Sequence, residues 1–165
     1  MTISVGDTLP AAKLMTLGAS GPEEVSLGDR LGDGRAVVFA VPGAFTPTCS
    51  QAHMPSFARN MDRLQALGVD KVICVAVNDP FVAAAWAEST GATESGIEVL
   101  ADPQGAFTEA LGLAFTAPPF GLINRSMRYT MLVENGKVAF LNVEESPAVC
   151  ELSSAETLLD HLSPQ

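Results

Sequence analysis

Apolar positions along the chain fall into short runs of strand length, separated by amphipathic or turn-rich stretches. Ala36-Val37-Val38-Phe39-Ala40-Val41 is an unbroken apolar run, ended by Pro42-Gly43. Lys71-Val72-Ile73-Cys74-Val75-Ala76-Val77 is a second, β-branched run, which predicts a central parallel strand. Ile97-Glu98-Val99-Leu100 predicts a third, short strand. Tyr129 to Val133 and Val138 to Val143 flank Asn135-Gly136, the signature of a type I′ hairpin. Between the strands the pattern predicts helices. One covers residues 47–67, is kinked at Pro55 and ends at Gly68. A second, opened by Asn78-Asp79-Pro80, runs through about Glu88, and a third runs from Asp102-Pro103 to Leu111. A last helix is capped by Ser153 or Ser154 and ends near Leu162. Residues 1–35 are rich in turn residues and predict one or two short strands, such as Lys13-Leu14-Met15-Thr16-Leu17, whereas residues 112–127 read as irregular.

Strands alternating with helices imply a parallel sheet covered by helices, and the hairpin adds antiparallel strands. No repeat, low-complexity tract or linker interrupts the order, so residues 1–165 are expected to form a single α/β domain. A chain of 165 residues with 47% hydrophobic content can bury a core without staples. Its formal net charge of −10 argues against nucleic acid and anionic membrane as partners. The odd count of 3 cysteines argues against a disulfide framework and fits a reducing compartment. No apolar stretch is long enough for a transmembrane helix and no signal-peptide pattern opens the chain, so a cytoplasmic location is expected.

The chemistry centres on Cys49. Thr46-Pro47 has the form of a helix start, with a hydroxyl at the N-cap and proline at the first helical position. Cys49 then falls in the first turn, where free N–H groups and the helix dipole favour an anion. A cysteine so placed has its pKa lowered into a range of roughly 3.5–7.5, against about 8.5 for a free thiol. The alternative is a small buried apolar side chain, the usual state of free cysteine. Pro-Gly before it, Thr-x-x-Cys across the helix start and polar Ser50-Gln51 after it favour reactivity. Thr46 can offer a hydroxyl to Cys49 or to a substrate oxygen, or cap the helix. Pro42 can shield the thiolate or simply end the strand. His53, four residues after Cys49, is open between a structural role, a base and a metal ligand, although no further residues stand at metal spacing. Arg125-Ser126-Met127-Arg128-Tyr129 concentrates basic residues at a strand entrance, where Arg128 can hold a thiolate ionised or be a solvated surface group. Cys74 reads as an inert core cysteine, and Cys150, in a loop before the last helix, as a more accessible thiol. Neither forms a Cys-x-x-Cys with Cys49.

Pro42-Gly43-Ala44-Phe45-Thr46-Pro47-Thr48-Cys49-Ser50 resembles the active-site segment of peroxiredoxins, in the wording of the type II (peroxiredoxin-five-like) branch. Also similar to that branch are His53-Met54-Pro55, Val75-Ala76-Val77-Asn78-Asp79-Pro80-Phe81-Val82, Leu100-Ala101-Asp102, Arg125-Ser126-x-Arg128-Tyr129, Asn142-Val143-Glu144 and Ser154-Ala155-Glu156. The similarity runs from about residue 3 to 163, and residues 1–35 match weakly. It implies a thioredoxin-like fold, a mixed central sheet flanked by helices with an N-terminal extension, and a thiol peroxidase. Cys49 would be the peroxidatic cysteine, oxidised to a sulfenic acid by hydrogen peroxide or alkyl hydroperoxides. Thr46 and Arg128 would orient the peroxide, and Pro42 would close the pocket. No metal, haem or flavin is implied. The reductant would be glutathione with glutaredoxin, or thioredoxin, with Cys150, or less readily Cys74, as a resolving cysteine. A homodimer is implied. An alternative reading uses the same cysteine in a peroxide sensor or chaperone-like protein. A cysteine hydrolase would need a histidine base, and only His53 and His161 exist.

Overall fold

The computed structural model describes residues 2–162, with Cys49 and Gln51 described by their backbone. Three parallel strands form the middle of the sheet: β3 (Arg35–Val41), β4 (Val69–Ala76) and β5 (Glu98–Ala101). β8 (Tyr129–Glu134) runs antiparallel beside β3, and β9 (Lys137–Val143) runs antiparallel beside β8. On the other edge β1 (Lys13–Gly18) meets β5 through Met15 and Ala101, and β2 (Gly21–Ser26) pairs with β1. The seven-stranded order is β2-β1-β5-β4-β3-β8-β9. This is the mixed, helix-flanked sheet of the thioredoxin-like fold, with the N-terminal extension supplying β1 and the edge strand β2.

Side chains alternate across the sheet, so each buried strand feeds two cores. Val37, Phe39, Val41, Cys74 and Ala76 face the layer that holds Met54, Phe57, Trp86 and Leu158. Val38, Ala40, Ile73, Val75 and Tyr129 face the opposite layer, with Leu27, Phe107 and Leu111. The continuous apolar runs at 36–41 and 71–77 follow from burial on both faces. Asn135 and Gly136 have φ of 52° and 78°, as a type I′ turn requires.

The long helix expected at 47–67 is broken. Pro47 and Thr48 are helical, Cys49–His53 is a π-helical turn, and α2 (Met54–Ala58) and α3 (Met61–Ala66) follow. Pro55 has no N–H for the carbonyl four residues back and its ring crowds that carbonyl, so the turn before it widens. The second break is at Asn60, whose Nδ2 donates to Ser56 O (2.8 Å) while its N–H reaches Phe57 O instead (3.1 Å).

Other helices keep their expected caps. α4 (Pro80–Ser89) starts at Asp79, whose carboxylate accepts from Val82 N. α6 (Ala106–Leu111) starts later than Asp102-Pro103 suggests, but Asp102 still caps it, accepting from Phe107 N, Thr108 N and Thr108 Oγ1. α7 (Ala155–Leu162) is capped by Ser154, whose Oγ accepts from Thr157 N. Residues 112–127 are not irregular: β6 (Ala114–Ala117) and β7 (Leu122–Ser126) form a two-stranded ribbon, with a register shift between Phe115 and Ala117. Their exposure and the Pro118-Pro119 turn hide the alternation that marks a strand. Two further short helices are α1 (Leu27–Leu31), in the stretch whose turn residues predict only short strands, and α5 (Ala92–Ser95), between α4 and β5.

A buried tyrosine hydroxyl stands apart from this bonding. Tyr129 is fully buried and its hydroxyl has no hydrogen-bond partner among the described residues. Burial raises its pKa far above the ordinary tyrosine value, helped by nearby Asp102 and Cys74. Removing an unsatisfied buried hydroxyl recovers its desolvation cost, so Tyr129→Phe should leave stability unchanged or raise it by up to about 1 kcal/mol. Urea unfolding checks this, and a clear loss of stability would reveal a bond to that hydroxyl.

Candidate active site

Strand register brings the site together. Ala40 of β3 pairs with Tyr129 of β8, so Arg128, one residue before β8, stands level with the end of β3, beside Pro42. The end of a parallel strand is where α/β sheets bind ligands. The chain leaves β3 in a tight turn. Ala44 N donates to Asn78 Oδ1 (2.9 Å) and Thr46 Oγ1 donates to Gly43 O (2.8 Å). Phe45 sits at φ 66°, a left-handed conformation disfavoured for a bulky side chain. The helix then opens at Pro47 as the sequence predicts, with Ser50 N on Thr46 O (3.1 Å), and Cys49 begins the π-helical turn within its first turn. The indole N–H of Trp86 donates to Ser50 Oγ (3.0 Å) and ties this turn to α4. The state of the Cys49 side chain lies outside the described residues.

Arg128 is 1% exposed, so the solvated alternative does not hold. Its Nη1 donates to His53 Nδ1 (3.0 Å) and its Nη2 to Pro147 O (3.0 Å). His53 is also fully buried, between Phe39 and Phe57, with ring centroids 4.8 and 5.7 Å away. Its Nε2 meets Ser153 O at 3.0 Å. An imidazole that accepts at Nδ1 and donates at Nε2 is neutral. Burial and then the Arg128 charge hold the His53 pKa well below 6.5, against the opposing pull of the Ser153 bond. His53 is thus a fixed acceptor for Arg128, and a deeply buried neutral ring is a poor proton reservoir. Among the described residues no three His, Cys, Asp or Glu side chains converge as a metal-binding group.

Pro42, Thr46 and Arg128 line one cavity of about 670 Å³, whose other walls are mainly apolar, including Pro47, Phe115, Phe120, Leu122 and Pro147. The predicted residues Pro42, Thr46 and Arg128 therefore meet at the helical turn that carries Cys49. Cys150 is half-buried in the loop that supplies Pro147, with Ser153 Oγ 3.9 Å from its sulfur. Burial pushes the Cys150 thiol up, while Ser153 and Arg128 pull it down. Cys74 is fully buried in β4, as the sequence indicates. Sequence reasoning missed Glu144 and left His53 unassigned. Asn142-Val143-Glu144 was visible as a motif, but its use depends on a loop of no regular structure.

The neutrality of His53 has a consequence for stability. Its folded pKa lies below the unfolded value, so the unfolded chain binds the proton first as pH falls through about 6.5. Stability should decline from pH 7 toward pH 5, this group contributing up to about 1.4 kcal/mol per pH unit. His53→Gln should flatten that part of the slope. Urea unfolding at pH 5, 6 and 7 checks it, and parallel slopes for the two proteins would refute it.

A family model described as Redoxin matches residues 4–159. Peroxiredoxin-2E-2, chloroplastic, of Oryza sativa subsp. japonica is 44% identical over 98% of this chain and 73% of its own length. Peroxiredoxin-2C of the same organism is 42% identical over 97% of this chain and 98% of its own length. Among solved structures, reduced Prx3 of Vibrio vulnificus in complex with H2O2 superposes with a TM-score of 0.90 at 44% identity, covering 98% of this chain and 100% of that one. Peroxiredoxin 5 of Alvinella pompejana gives a TM-score of 0.83 at 30% identity, covering 97% of each chain. The chain therefore belongs to the Redoxin family and, within it, to the type II branch of the peroxiredoxins, which are thiol peroxidases.

Proposed function

We propose that Cys49 is the nucleophile of this peroxidase and that its thiolate is oxidised to a sulfenic acid. The observation that carries the reading is the convergence of Pro42, Thr46 and buried Arg128 on one cavity at the helical turn of Cys49. A buried guanidinium and a helix start both favour a thiolate there. The thiolate attacks one peroxide oxygen, the O–O bond breaks, and the departing oxygen takes a proton to leave as water or an alcohol. Arg128 and the Thr46 hydroxyl orient the peroxide and stabilise charge on the departing oxygen. Pro42 closes the wall against water. The apolar walls suit alkyl hydroperoxides as well as hydrogen peroxide. No metal, haem or flavin takes part.

For the second half-reaction we infer that Cys150 condenses with the sulfenic acid, releasing water and forming a disulfide. Thr48 Oγ1 donates to Ala148 O (3.0 Å), so the Cys150 loop already touches the residue before Cys49. Cys74, locked in β4, is the poorer candidate. Thioredoxin, or glutathione with glutaredoxin, supplies the two electrons that reopen the disulfide. The π-helical turn and the left-handed Phe45 favour local unwinding of residues 45–52 to let the sulfurs meet. Exposed Phe120 (81%) and Phe45 (56%), beside the cavity in the chain, support a homodimer.

Cys49→Ser is expected to abolish steady consumption of hydrogen peroxide with a thiol donor, and an unchanged turnover rate would remove Cys49 from the reaction. Peptide mapping after one equivalent of peroxide without thiol should find a Cys49–Cys150 disulfide, with loss of hydrogen-exchange protection at 45–52. A sulfenic acid that persists on Cys49 with Cys150 untouched would overturn the resolving role.

A further inference from the structure

We propose that Glu144 is a positioning residue: its carboxylate closes the 144–153 loop on itself, and the closed loop sets the carbonyls that hold Arg128 and His53. The inference rests on the peroxidase reading of Arg128. Glu144 is 2% exposed in a chain of net charge −10, where a buried carboxylate needs a reason. Its Oε1 accepts from Glu151 N (2.7 Å), Ser153 N (2.7 Å) and Ser153 Oγ (2.9 Å). Its backbone N donates to Arg128 O (2.9 Å). One residue therefore ties the start of the loop to Arg128 and its end to itself.

The loop contains no helix or strand, so regular hydrogen bonding does not set its shape. Its contributions to the site nonetheless come from its backbone. Pro147 O receives Arg128 Nη2, Ser153 O receives His53 Nε2, and Ala148 O receives Thr48 Oγ1. A carbonyl can be aimed only by fixing the chain on both sides of it. Glu144 precedes Pro147 and Ala148 and its charge-assisted bonds at Glu151 and Ser153 follow them, so the carboxylate fixes both flanks of those two carbonyls. It also fixes the N–H of Ser153, whose carbonyl accepts from Thr130 Oγ1 as well as from His53. Pro147 and Ala148 also wall the cavity, and Cys150 lies inside the same ring. Opening the ring would loosen the Arg128–His53 pair and free Cys150 together.

The test compares wild type with Glu144→Gln and Glu144→Ala. The first equivalent of hydrogen peroxide is followed by stopped-flow fluorescence of Trp86, the only tryptophan, which contacts the Cys49 turn through Ser50. The pH profile of Cys49 alkylation reports the thiolate, and iodoacetamide labelling of Cys150 in a Cys49→Ser background reports the ring. Removing the carboxylate should slow the peroxide step about tenfold or more. Glu144→Gln keeps an acceptor oxygen but gives up charge-assisted bonds, so it should slow that step less, about threefold. Alkylation should shift to higher pH and Cys150 labelling should quicken, each more in Glu144→Ala than in Glu144→Gln. Should Glu144→Ala fail to fold, Glu144→Gln alone decides. Wild-type peroxide kinetics and alkylation profile in the folded variants overturn the proposal, as does unchanged Cys150 labelling. A wild-type Cys49 inert to peroxide would instead sink the peroxidase reading on which it rests.

Discussion

A fully buried guanidinium is the constraint around which the candidate site is arranged. Taking a charged group out of water costs several kcal/mol unless its donors are met by well-placed acceptors. Arg128 stands at the entrance of β8 with His53 Nδ1 on one side and Pro147 O on the other. The histidine can serve only if it stays neutral, since a protonated ring would set two positive charges together. Burial among Phe39 and Phe57 and the bond to Ser153 O keep it in the accepting tautomer. The apolar layer beneath the π-helical turn thus selects a protonation state as well as filling space, and that state keeps the arginine's charge directed at the cavity.

These groups come from four distant stretches of chain, and three rigid devices align them. The β3–β8 register fixes Arg128 against the end of β3. The helical turns after Pro47 carry both the Cys49 position and His53, so that one element sets the spacing of the proposed nucleophile and the arginine support. Asn78, at the end of β4, holds the turn at Ala44 from behind. The fourth stretch, the 144–153 loop, is the soft one. It meets the site through carbonyl oxygens, and among the bonds that hold it, Asn142 Nδ2 to Leu152 O included, the Glu144 carboxylate is the one that reaches from its start to its end.

What the sequence revealed and what it hid divide along the same physical line. Buried parallel strands show as apolar runs, and a hydroxyl–proline pair marks a helix start wherever it falls, so the fold core and the place of Cys49 were legible. Arg128 was legible as a residue but not in its burial, because a strand-entrance arginine looks the same in sequence whether solvated or enclosed. The break at 59–60 and the β6–β7 ribbon escaped because a side-chain bond from Asn60 and a bulged, exposed strand leave no periodic trace. Glu144 escaped for a deeper reason. Its partners are backbone N–H groups, which every residue carries, so no pattern of residue types announces them.

A thiol peroxidase must satisfy two opposed demands, and the distribution of order in this molecule reflects both. Activating a peroxide requires donors held still, and in the proposed site the buried Arg128–His53 pair meets that demand. On the proposed mechanism, reducing the oxidised cysteine requires the same turn to open toward a second thiol. A regular α-helix packed on the sheet would meet the first demand and resist the second. Here the turn at Cys49 is π-helical, is preceded by a left-handed Phe45 and is limited by Pro55, so the chain leaves the regular α-helical ladder at the place where unwinding would begin. His53, by contrast, lies at the end of that turn and is anchored to Ser153 O and Arg128. On the proposed mechanism the boundary between what moves and what stays therefore falls between Cys49 and His53, within one widened helical turn, so that the cysteine can be released while the arginine keeps its partners.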